Sequence, residues 1–199
     1  IMATYASIKY DMDLSSNATG AGALTLLATE TASSSGTISF TSGIDSTYKE
    51  YIFRFYDVHP SADANLTFQV DASTNTNYNA SITSTFFWSD HMENDTDAEL
   101  TYKTDQDQGG GTSFQNIGTT MESGDTDSSA AGILHLYNPS TATYMVHWKA
   151  EVQMRSSGTP SSRYQFTAGY INGTGINKLQ FKMSSGNIDA GTFKLYGVV

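Results

Sequence analysis

The sequence predicts an all-β protein: an antiparallel two-sheet sandwich, jelly-roll-like, with an extended N-terminal arm. Three observations carry that prediction. The 26 Thr and 25 Ser put an aliphatic hydroxyl at 51 of 199 positions, beside 12 Tyr and 10 Phe. Thr and the aromatics suit a pleated, half-buried surface, and Ser, Gly, Asn and Asp suit the turns between strands. Charged residues make up 15%, too few for the Glu, Lys and Arg of long helices. Apolar residues also alternate with polar ones at period two in many short segments. Turn signals separate these segments at roughly 10–15-residue spacing, the rhythm of an antiparallel sandwich or barrel.

In order along the chain, residues 1–35 read as an N-terminal arm. One short apolar patch, Leu24, Leu26 and Leu27, lies between two stretches of small residues. Residues 36–199 read as the sandwich domain. Thr37 to Thr41 alternates. Lys49 to Asp57 puts Tyr51, Phe53 and Phe55 on one face and Ile52, Arg54 and Tyr56 on the other. Pro60 to Asp63 is a turn before the strand Leu66, Phe68, Val70. Ile82 to Trp88 is a further strand. Residues 89–128 break the rhythm with ten acids and Gly109-Gly110-Gly111, and read as a long excursion on an exposed end or face. Leu100 to Tyr102 and Phe114 to Ile117 are short strands within it. Ile133 to Tyr137 then ends in the turn Asn138-Pro139-Ser140. Tyr144 to Met154 is the longest strand, with Tyr144, Val146, Trp148, Ala150 and Val152 on one face. Tyr164 to Ala168, Leu179 to Met183 and Phe193 to Tyr196 complete the series. Alternation with one polar face argues against a parallel sheet covered by helices.

Length and charge bound the partners. A chain of 199 residues is one large domain, and zero Cys excludes disulfides and thiolate zinc sites. Asp and Glu outnumber Lys and Arg by 20 to 10, a net charge of −10. Phosphate neutralisation needs the opposite balance, so neither nucleic acid nor an anionic membrane is expected as a partner. No apolar run is long enough to span a membrane, and the first residues lack the pattern of a secretory signal.

Few residues carry chemistry. His59, His91, His135 and His147 show no metal-ligand spacing; His135 and His147 lie on strands joined by one turn and are candidate cross-strand neighbours. The run Asp95-Thr96-Asp97-Ala98-Glu99 opens like a calcium loop, but Leu100 stands where Gly is needed and Gln106 where Glu is needed. No metal and no cofactor is therefore expected. No Gly-x-Ser-x-Gly elbow occurs. Of the carboxylates a glycosidase would need, Glu93 and Glu151 alone lie near aromatic-rich strands. An enzyme is not expected. Phe86, Phe87 and Trp88 are consecutive and cannot all face one core; one of them is a candidate contact for a partner or a sugar ring.

Several segments resemble marine tailed-phage, cyanophage-like virion proteins. They are Ser46 to Phe53 followed by Asp57-Val58-His59-Pro60, Leu134 to Thr141 with its Tyr-Asn-Pro-Ser turn, Ala168 to Asn172, and Ser184 to Gly197. The last is the most specific. The resemblance implies a β-sandwich structural protein of the virion, of the capsid-decoration or tail-fibre-associated type. It brings no catalytic residue. The function it implies is a decoration (cement) protein on the outer capsid surface, stabilising the shell. The major capsid protein is then the partner and a homo-oligomer, a trimer above all, the assembly. The alternative is a tail-fibre or receptor-binding head that recognises a host surface glycan.

Overall fold

The computed structural model describes residues 24–72, 75–158, 160–173 and 175–199. Thirteen strands and no helix form among them. They are β1 (Leu24–Ser35), β2 (Ile38–Phe40), β3 (Glu50–Pro60), β4 (Ala64–Ala72), β5 (Ser81–Met92), β6 (Ala98–Tyr102), β7 (Gly109–Gly111), β8 (Gln115–Met121), β9 (Ala130–Tyr137), β10 (Val146–Ser156), β11 (Ser161–Asn172), β12 (Ile176–Met183) and β13 (Ile188–Val198). All pairings are antiparallel. The main path runs β1-β13-β3-β9-β10-β8-β4-β12-β2. A branch continues from β10 through β11 and β5 to β6 and β7. The sheet rolls up until β1 and β2, the two ends of the path, approach each other, so it is nearly closed and barrel-like.

Alternation decides what goes inside. Tyr51, Phe53 and Phe55 of β3 are buried, as are Leu134 and Leu136 of β9, and Phe193 and Leu195 of β13. Phe68 of β4 and Leu179 and Phe181 of β12 come from the far wall. The rings interlock. Phe53 meets Phe181 at 5.9 Å and 71°, and Phe68 meets Trp148 at 4.7 Å and 70°, both edge to face. Each fully buried Phe contributes about 1.5–3 kcal/mol from its removal from water. Edge-to-face contact adds about 0.5–1.5 kcal/mol per pair.

Two expectations change. Of the arm expected over 1–35, residues 1–23 lie outside the described residues, and Leu24–Ser35 form β1, paired along β13. The 89–128 excursion is not all exposed: Gln115, Ile117, Thr119 and Met121 of β8 are buried. Hydrogen bonds make the polar ones tolerable. Gln115 Oε1 accepts from Ser84 Oγ at 2.7 Å, and Gln115 Nε2 donates to the Gln106 carbonyl at 2.9 Å. Gln165 Oε1 accepts from the Thr119 amide at 2.7 Å. Gln69 Nε2 donates to the Ser113 carbonyl at 3.0 Å. A buried amide with its partners satisfied costs little, and here it ties the excursion to β5, β11 and β4.

Candidate binding face

The outward side of the long arm of the sheet, from β1 to β6, is one continuous surface. Register fixes its rows. Tyr102, Phe87, Phe166, Glu151, Ile133, Arg54 and Lys194 stand in line across β6, β5, β11, β10, β9, β3 and β13. The next row holds Lys149, His135, Ile52 and Tyr196. Each row is one cross-strand neighbour after another, the unit in which side chains on a sheet interact.

The middle of this face is charged and ordered. His135 Nδ1 lies 2.5 Å from Glu50 Oε1, and its ring stacks on Tyr137 at 6.0 Å. Lys149 Nζ meets Glu151 Oε1 at 3.2 Å, and Tyr164 Oη donates to Glu151 Oε2 at 2.9 Å. Hydrogen bonds from Tyr164 and then Lys149 hold the Glu151 carboxyl below its ordinary range. Arg54 lies over the Tyr196 ring at 5.7 Å. His147 packs on Tyr170 rather than on His135, whose register partner is Lys149.

The three residues singled out by sequence are divided by the pleat. Phe86 is fully buried beneath the face and out of a ligand's reach. Trp88 is 8% exposed and also points inward. Its indole is held between Arg163 at 3.9 Å and Lys103 at 4.2 Å, and its Nε1 donates to Glu99 Oε1 at 2.7 Å. Phe87 points outward and tilts against Phe166, with centroids 5.1 Å apart and planes at 30°. Around this pair stand Tyr102, 51% exposed, Tyr164, 38%, and Leu100, 77%. Tyr102 Oη donates to Asp107 Oδ2 at 2.5 Å, and that bond raises its pKa. Sequence reasoning singled out Phe87 only together with Phe86 and Trp88, and without the rings beside it, because placing those needed the register of β5 with β6 and β11.

The acid run is spent on specific partners. Asp90 is buried against Arg163, with both Nε and Nη2 of the guanidinium on Asp90 Oδ2. Glu93, Glu122 and Asp125 surround Arg155. Asp95 lies 3.4 Å from His91. Asp57, His59, Asp127 and Asp189 line a concavity of about 480 Å³ at the far end of β3, where His59 Nδ1 meets the Ser128 carbonyl at 2.6 Å. No group of three His, Asp or Glu able to hold a metal occurs among the described residues. No protein-family model matches the chain, and no curated protein matches it.

Proposed function

We propose that the chain is a virion structural protein of a tailed phage, a decoration protein bound to the outer surface of the head. The sheet is read as a two-sheet jelly roll. Strands β1-β13-β3-β9-β10-β11-β5-β6 form one wall and β8-β4-β12-β2 the other. What supports this division is that β10 and β8 share a single paired position, Ser156 with Met121. The observation that carries the functional reading is where β1 sits. It is an edge strand of the wide wall, and Leu24 stands at its start on the outward face. Leu24, the first described residue, therefore stands at the rim of that face, the face proposed to meet the capsid subunits. The major capsid protein is the proposed partner, and a homotrimer on threefold or quasi-threefold positions the proposed assembly. A protein that binds only the assembled shell stabilises it by mass action.

The second reading is a receptor-binding head on the tail. The outward ring cluster of Phe87, Phe166, Tyr102 and Tyr164 favours it. Immunogold electron microscopy of intact phage with antibody against this chain separates the two. Label spread over the head at high copy is the expected result. Label confined to the tail tip, or absent from the particle, overturns decoration.

A further inference from the structure

We propose that the ring cluster at the β6–β5–β11 end of the sheet binds a neutral pyranose chain laid flat across the strands. This deepens the second reading by naming its site and ligand class, and it rests on sugar recognition by this face. It does not depend on whether the chain sits on the head or the tail.

Geometry supplies the floor. Tyr102, Phe87 and Phe166 are register partners on three adjacent strands. Strands lie about 4.8 Å apart, so the three rings span about 10 Å. Tyr164 and Leu100 are both register partners of Ser89, two residues beyond Phe87 on the same face, and so they extend the floor along the strand direction. A pyranose with equatorial substituents has a flat, apolar face of C–H bonds. Those hydrogens carry partial positive charge and are drawn to the negative face of an aromatic ring.

The rim supplies the polar partners. Tyr102 Oη is held by Asp107 and Tyr164 Oη by Glu151. Both carboxylates are placed beside the rings with acceptor capacity for sugar hydroxyls. An apolar floor with a few fixed polar groups at its edge is the pattern of small-ligand sites. Both phenols stay protonated, since hydrogen bonding to Asp107 raises the pKa of Tyr102, and burial followed by the Glu151 hydrogen bond raises that of Tyr164.

Charge selects among occupants. The net charge of −10 and the carboxylates of Asp105, Asp107 and Glu151 nearby repel an acidic polysaccharide or a nucleic acid. A second copy stacked face to face on the same patch would set Asp107 and Glu151 of one against those of the other, an unfavourable isologous contact. A neutral, hydroxyl-rich chain meets neither penalty.

Titration of the full chain with cellohexaose and with laminarihexaose, by calorimetry and by NMR of the ring protons, tests the proposal. Saturable binding of at least one is expected, with shifts at Tyr102, Phe87, Phe166 and Tyr164. Tyr102→Ala should weaken it about tenfold, the loss of one stacked ring. Tyr102→Phe keeps the ring, drops the Asp107 bond and should stay within about threefold. Tyr102 is half exposed, so both variants should keep the wild-type melting curve, which is measured alongside. The proposal is overturned if neither hexasaccharide binds, or if Tyr102→Ala leaves binding unchanged. It is also overturned if the chain self-associates with increasing concentration and Tyr102→Ala abolishes this, which assigns the patch to a second copy. The microscopy result stands or falls separately.

Discussion

Arg163 and Asp90 show what a single pair can decide. The Asp90 side chain is 2% exposed and that of Arg163 10%. Both nitrogens that reach Asp90 converge on Oδ2, and Oδ1 has no hydrogen-bond partner. The remaining guanidinium nitrogen, Nη1, donates to Thr120, a residue at φ 59°. The Trp88 ring covers the guanidinium from one side. Taking two charges out of water costs several kcal/mol per ion, and mutual attraction offsets this only while both are present. Arg163→Met should therefore cost about 3–5 kcal/mol by leaving a buried, unpaired carboxylate. Adding Asp90→Asn to that variant should recover part of the loss. Urea unfolding of the two single variants and the double variant checks this. Simple additivity would sink the account. The sequence reading placed Asp90 in the exposed excursion, whereas β5 runs on to Met92 and carries Asp90 inward in line with Phe86 and Trp88. Its cation was not legible either, because Arg163 is 73 residues away in sequence and only register brings it across.

At the scale of elements, the segments with clean alternation and a turn at each end were legible. β4, β5, β9, β11, β12 and β13 contain the segments read as strands from the sequence. β3 begins one residue later than expected, at Glu50, and β10 begins at Val146, with Tyr144 and Met145 exposed ahead of it rather than on the strand. The two that were missed lack that signal. In β1 the alternation is interrupted at Leu26-Leu27-Ala28, where the pairing with β13 has a bulge. β7 is three glycines, with no side chain to alternate. The buried half of the excursion escaped notice because Gln115 and Thr119 are polar, and it is their hydrogen bonds that admit them. Glycine also works at this scale in β11. A Cβ on Gly169 would lie 2.1 Å from the Thr83 carbonyl oxygen and 2.9 Å from Ser84 Cα, both backbone atoms of β5. Neither can turn aside as a side chain would, so β5 must move away from β11. Gly169→Ala should destabilise by about 1–3 kcal/mol, the cost of overpacking. The melting midpoint should fall by about 2–4 °C for each kcal/mol in a chain of this length. Gly158→Ala is the control: its φ is 87°, and a Cβ there meets nothing within 4 Å. It should cost only the backbone strain of about 1–2 kcal/mol. If Gly169→Ala melts no lower than Gly158→Ala, the close approach of β5 and β11 is not what holds that position to glycine.

Across the whole molecule, the first and last described strands pair along one edge of the sheet. β1 pairs with β13 from Leu24 opposite Val198 to Ser35 opposite Ile188. β1 also packs Leu27, Ala28 and Ala32 onto the core. Without it, β13 becomes the edge of the wide wall, with Phe193 and Leu195, both fully buried, losing cover. The β1–β13 pairing joins the segments farthest apart in sequence of any pairing among the described strands, so it carries the highest loop-closure cost and forms late in folding. Two consequences separate. A chain beginning at Gly36 should melt below one beginning at Leu24 by about 6–12 °C, for a loss of about 3 kcal/mol. Because a late-forming contact is absent from the transition state, the truncation should speed unfolding and leave the refolding rate nearly unchanged. Chevron plots of the two chains read both arms at once. A slowed refolding arm would place β1 in the nucleus instead, and an unchanged midpoint would mean that β13 and the core beneath it are stable without their edge strand.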